Sequence, residues 1–296
     1  MKRKSLVTLK SYRITLTTSW ESNHGISGHL FEMIEYFYHL RYHKNKSVCI
    51  LIADGITKEQ FNTALNKYDF TTEELQAYED HVHFYYSPKA LIANDIIFVD
   101  GSLRTFDADI ICRRKIFLRC SDDEFLNKAD IVLQDHDLYD PLPNSIHYKK
   151  KLLLNKFKPI NHVKNGVAAI YCTSNMRRLT PENLTAIADK YSYNHYIVLT
   201  NIEMEVPQNM ELIKVPALNF YELFDTFIYT GSTNKTKIDC SPRLIVECKH
   251  YNKDVVYDGV YDIEKDKGLL VRRKDLEEGI DLDLKETDEL TTLATF

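Results

Sequence analysis

Short apolar runs rich in β-branched residues recur along the chain, and stretches with apolar residues at helical spacing lie between them. "YRITLTTS" (12–19), "SVCILIAD" (47–54), "VHFYYS", "DIIFVDG", "KIFLRCSD" and "DIVLQD" read as strands. "LFEMIEYFYHLRYHKN" sets Leu30, Met33, Ile34, Phe37 and Leu40 on one helical face, and 57–80 reads as helix broken near Asp69-Phe70. Strands alternating with helices specify a parallel sheet with crossover helices, because parallel neighbours cannot be joined by a tight turn.

The pattern pauses and restarts. Segment 148–164, "YKKKLLLNKFKPINHVK", keeps no steady period and contains Pro159. Beyond it follow strand 167–172, helix 181–190, strand 195–200, strand 211–216, helix 219–226, strand 227–231, a helix from Pro242 and strand 254–258. The 296 residues are about twice a usual domain length, so two cores are expected. The fold class is α/β, with two Rossmann-like domains facing across a cleft. The expected boundaries are 1–150 for the first domain, 151–165 for a linker and 166–296 for the second.

Composition narrows the function classes. An apolar fraction of 44% with 27% charged residues suits a globular chain, and no apolar run is long enough to span a bilayer. The basic start Met1-Lys2-Arg3-Lys4 leads into no apolar core or cleavage site, so no signal peptide is read and a cytoplasmic location is expected. The six cysteines are scattered without a C-x-x-C and read as free thiols. No cysteine or histidine spacing is taken as a metal site; His81-Val82-His83, at a strand start, is the nearest approach. The net charge of −5 argues weakly against nucleic acid, but it is unevenly spread. Basic residues concentrate in 148–164 and in "RRKIFLR", acidic ones in 275–289.

Ligands in open parallel sheets bind beyond the carboxyl ends of the strands. Four polar loops leave such ends: 20–29, 121–124, 173–178 and 231–247. In the first, Gly25 and Gly28 let backbone amides approach a ligand, and Glu21 and His24 can reach a bound acceptor. The second presents Asp122 and Asp123; Asp122 suits a general base or, equally, a helix N-cap. Asp135, His136 and Asp137 are a rival set. The third, "TSNMRR", offers Ser174, Arg177 and Arg178 to a phosphate at a helix start, or holds a solvated pair of cations there. In the fourth, Arg243 and Glu247 lie one turn apart on a largely apolar helix. They fit either phosphate and ribose recognition or an internal ion pair.

These last residues carry a resemblance. "SPRLIVECKHYNKDVVYD" resembles the nucleotide-sugar signature of GT-B glycosyltransferases. "KIFLRCSD", "AIYCTSNMRR" and "SPRLIVE", in that order, resemble segments of the phage DNA β-glucosyltransferases, which modify hydroxymethylcytosine in DNA. The resemblance implies a catalytic aspartate at Asp122, a phosphate-binding arginine at Arg177, and diphosphate and ribose contacts at Arg243 and Glu247. It implies a UDP-sugar donor carrying glucose or arabinose, no required cofactor and no metal. Double-stranded DNA is then the acceptor, with Arg113 and Arg114 on the acceptor side, in a host cytoplasm if the chain is phage-encoded. A cell-envelope saccharide acceptor, or a non-catalytic nucleotide-binding module, are the alternatives.

Overall fold

The computed structural model describes residues 5–18, 26–52, 55–86, 88–99, 108–119, 124–134, 142–147, 152–161, 166–172, 180–200, 203–214, 220–230 and 243–258. The chain divides into two units, one reaching to Phe157 and the other starting at Lys158.

The first unit is built on a seven-stranded parallel sheet. Its strands are β2 (Ile14–Thr17), β3 (Val48–Ile52), β4 (Val82–Phe84), β6 (Asp95–Phe98), β8 (Arg114–Leu118), β9 (Ile131–Gln134) and β10 (Ser145–His147). Their order is β10-β9-β8-β6-β2-β3-β4. The chain starts in the middle at β2, moves outward through β3 and β4, then returns to the other side of β2 to lay down the rest. That reversal is the doubly wound, Rossmann-like arrangement, and β2 and β6 flank its switch point.

Helices α1 (Gly28–Tyr38), α2 (Lys58–Leu65) and α3 (Thr72–His81) make the connections through β3 and β4. The expected helix over 57–80 is thus two helices, each opened by a capping box. Thr57 pairs with Gln60 in α2, and Thr71 with Glu74 in α3. The break between them joins a later stretch of chain. Asp69 N–H donates to Lys156 O at 2.6 Å, and Tyr68 bridges Phe157.

On the opposite face strands take the place of the expected crossover helices. A second parallel sheet, in the order β1-β5-β7, holds β1 (Leu6–Thr8), β5 (Ala90–Ile92) and β7 (Asp109–Ile111). β5 lies between β4 and β6 in the chain, and β7 between β6 and β8. Val7 and Leu91 of this sheet share a core with Cys49, Leu51, Ile96, Phe98, Phe117 and Val132 of the large one. Three-residue strands carry too few residues to show a period, which is why the sequence did not announce them.

The second unit holds a five-stranded parallel sheet ordered β13-β12-β11-β14-β15. The strands are β11 (Val167–Cys172), β12 (His195–Thr200), β13 (Met210–Lys214), β14 (Thr226–Thr230) and β15 (Asp254–Asp258). The order is again doubly wound, and the switch point lies between β11 and β14. Helix α4 (Pro181–Tyr191) connects β11 to β12; its Leu184 and Ile187 pack on Ala168, Ile170, Val198 and Ile228. Thr180 caps it, Pro181 opens it, and Ser192 closes it in the left-handed region at φ 52°. Helix α5 (Arg243–His250) follows β14 and leads to β15. The helix expected at 219–226 is only a 3-10 turn, Phe220–Glu222. Its aromatic residues serve the core instead: Phe220, Tyr221 and Phe224 are all buried.

Candidate functional site

In a parallel sheet every strand's carboxyl end lies at the same edge, so the topology sorts the sequence candidates by edge. In the second unit, the chain leaving β11 turns toward β12 while the chain leaving β14 turns toward β15. The loops after these two strands therefore flank a crevice at the switch point. The loop after β11 carries Ser174, Arg177 and Arg178, which lie outside the described residues. The loop after β14 ends at α5, whose first residue is Arg243.

Arg243 and Glu247 face each other across one turn of α5. Arg243 Nε donates to Glu247 Oε1, and Tyr221 Oη donates to Glu247 Oε2. Glu247 is 1% exposed. Burial, reinforced by the neighbouring Glu247 carboxylate, pushes the Tyr221 phenol well above its ordinary range and keeps it a donor. The internal ion pair foreseen as one reading of these residues is therefore present. Glu247 reaches no solvent, and it fixes the direction of an arginine in the first turn of the helix. Thr230, the last residue of β14, is 4% exposed, and its Oγ1 has no hydrogen-bond partner among the described residues. An unsatisfied buried hydroxyl costs about 1–3 kcal/mol. Thr230 ends the strand at the switch point, and the sequence reading passed over it.

In the first unit the loop after β2 stands at the switch point. Glu21, His24 and Gly25 belong to it and lie outside the described residues, as do Asp122 and the rival set Asp135, His136 and Asp137. What the structure describes beside them is Arg119, directly after β8. Its Nη1 donates to Gln134 Oε1 at 2.7 Å, and both residues are about 5% exposed or less. A buried guanidinium at the carboxyl edge, three residues before Asp122, was counted in the sequence only as part of a basic strip.

Arg113 and Arg114 occupy the opposite edge. β8 runs from Arg114 toward Arg119, about 16 Å away at strand rise, so the two arginines sit at the amino end. Each holds Asp95 with two nitrogens: Arg113 at 2.8 and 2.8 Å, Arg114 at 3.3 and 2.7 Å. Arg13 approaches Asp95 at 3.8 Å. Burial raises the Asp95 carboxyl, but the hydrogen bonds from Arg113 and Arg114 outweigh it and leave a net lowered pKa. Both residues were expected on the acceptor side; the strand direction puts them at the amino end. Lys156 of the basic segment is likewise engaged, donating to Glu74 at 2.9 Å.

Among the described residues no group of three or more His, Cys, Asp or Glu side chains could hold a metal. The sequence reading held that no H-x-x-x-H spacing occurs, but one does. His39 and His43, four residues apart, meet Nδ1 to Nδ1 at 3.1 Å on a π-helical turn, His39–His43. Cys49 and Cys248 are buried free thiols, and burial pushes Cys49 up to about 12. Among the described residues no helix is long and apolar enough to cross a membrane.

No family model matches the chain, and no curated protein matches it. Solved structures do. A protein assigned as a UDP-N-acetylglucosamine 2-epimerase from Listeria monocytogenes aligns at TM-score 0.42 and 10% identity, covering 96% of this chain and 91% of that one. A UDP-GlcNAc 2-epimerase from Neisseria meningitidis, bound to UDP-GlcNAc, aligns at TM-score 0.41 and 10% identity, covering 98% and 92%. At this identity and overlap neither likeness carries an argument about function.

Proposed function

We propose that the chain is a nucleotide-sugar-dependent glycosyltransferase that inverts the anomeric centre. The observation that carries the reading is Arg243, directed by the buried Glu247 from the first turn of the helix that follows β14 at the switch point. An anion at that edge meets a guanidinium whose orientation is already set, so little ordering entropy is lost on binding. UDP is the donor's leaving group in this reading, and Arg177, Arg178 and the amide of Ser174 approach it from the loop after β11. Because Glu247 is engaged by Arg243 and Tyr221, its role becomes that of a positioning residue rather than a direct ribose ligand.

Asp122 is the general base. It takes the proton of an acceptor hydroxyl as that oxygen bonds to the anomeric carbon and the bond to UDP breaks. Charge on the departing diphosphate is offset by the arginines, each such interaction commonly being worth about 3–4 kcal/mol. The acceptor expected from the sequence resemblance is hydroxymethylcytosine in DNA, and the sugar glucose or arabinose. A second reading, a saccharide acceptor, gains support from Arg113 and Arg114. Their engagement by Asp95 at the amino edge removes them from the carboxyl-edge surface that a phosphate backbone would need.

The test is incubation with UDP-sugars and either hydroxymethylcytosine-containing DNA or saccharide acceptors, with products weighed by mass spectrometry. A sugar-mass increment on the nucleoside supports the first reading, and one on the saccharide the second. UDP binding without turnover on any acceptor would reduce the chain to a nucleotide-binding module. Asp122→Asn abolishes transfer and leaves UDP binding intact; turnover surviving that change excludes Asp122 as the base.

A further inference from the structure

In the first unit three side chains from distant parts of the sequence converge. Tyr12 precedes β2, His81 ends α3 and His83 lies in β4. Tyr12 Oη stands 3.2 Å from His81 Nδ1 and 3.2 Å from His83 Nε2. Both rings meet the phenol edge-on, with centroids 5.6 Å away in each case. One hydroxyl hydrogen cannot serve two imidazoles, so one ring must donate to the oxygen while the other accepts from it. Both contacts lie at the long end of the hydrogen-bond range, about 2.7–3.2 Å. They are close to another length. Two ligand atoms about 2.0–2.1 Å from a metal ion, in tetrahedral disposition, are about 3.3 Å apart.

We propose that Tyr12, His81 and His83 form a binding site for a late first-row divalent cation of the Zn2+ or Cu2+ kind. Imidazole nitrogen is the ligand such ions favour, and the two histidines supply it from two elements that a cation would clip to the turn before β2. Ligation takes the neutral form of both imidazoles. Of the charged neighbours, Arg41 opposes a cation and Asp80 favours it. Cys49, a further neighbour of Tyr12, lies with its Sγ 3.5 Å from Thr15 Oγ1. On ligation the phenol proton leaves to solvent and the oxygen bonds to the metal. The site uses none of the residues assigned to the transferase reading, and the proposal stands independently of it.

The test uses the full chain, freed of metal by a chelator and dialysed. It is titrated with Zn2+ by calorimetry and with Cu2+ by absorption. One site per chain is expected, weakened about 10–100-fold by Tyr12→Phe and about 100-fold or more by His83→Gln. Cu2+ should give a tyrosinate-to-copper charge-transfer band that Tyr12→Phe removes. His43→Gln is the control, because His39 and His43 are a second imidazole pair; it should leave the affinity unchanged. His81→Gln repeats the result by an independent substitution, and melting of each metal-free variant checks its fold. Absence of a site in the wild type, loss of binding in His43→Gln, or full affinity in both His81→Gln and His83→Gln overturns the proposal.

Discussion

Asp95 shows how one residue organises an edge. It is 1% exposed, and two arginines chelate it. Removing one partner of a buried pair commonly costs about 3–5 kcal/mol; with partly exposed arginines about 2–4 is expected for Asp95→Asn, read as a lowered melting temperature. The pH dependence follows from the net lowering of its pKa. The stabilisation is complete above the ordinary carboxylate value of about 4 and is lost as pH falls through the lower native value. Asp95→Asn should therefore melt with a shallower loss of stability between neutral and acid pH than the wild type. Gly166 is a second residue-scale case. Its φ is +71°, and an added Cβ would stand 3.2 Å from Asn194 Nδ2. Gly166→Ala should cost about 1–2 kcal/mol, measured by denaturant unfolding.

Among the elements, α3 is tied to its surroundings through one side chain, Glu74. Glu74 closes the capping box with Thr71 N–H at 2.8 Å, accepts from Tyr38 Oη of α1 at 2.6 Å, and receives Lys156 at 2.9 Å. Burial raises its carboxyl, but the bonds from Tyr38 and Lys156 prevail and its pKa is lowered. Thr71→Ala removes only a cap and should cost about 1 kcal/mol. Glu74→Gln weakens the cap and both links, so its chevron or urea midpoint should shift more than that of Thr71→Ala. Equal shifts would mean the links to α1 and Lys156 contribute nothing. This scale also shows what patterns reveal. The apolar face of α1 and the long strands β3, β11 and β12 were legible as periods, whereas the capping boxes of α2 and α3 were not read. The strands β1, β5 and β7, three residues each, were not, because burial of so short a run depends on which surface it meets.

At the scale of the whole molecule, both units wind outward from their first large-sheet strand and then reverse. That assigns the loops after β2 and after β11 to the switch points. UDP at about 100 times its Kd should raise the stability of the wild type by about 2.7 kcal/mol. Arg243→Ala should abolish most of that rise, and Arg113→Ala, at the other unit's amino edge, should leave it in place; the thermal shift with and without UDP measures both. By itself the sequence determined the α/β class, two cores and the helix bearing Arg243 and Glu247, because those depend on local period and on chain length. Only the tertiary structure decided which edge each candidate occupies, that Glu247 is sealed beneath Arg243 and Tyr221, and that Tyr12 lies between His81 and His83. Strand order and long-range contacts fix those relations, and no local run of residues encodes them.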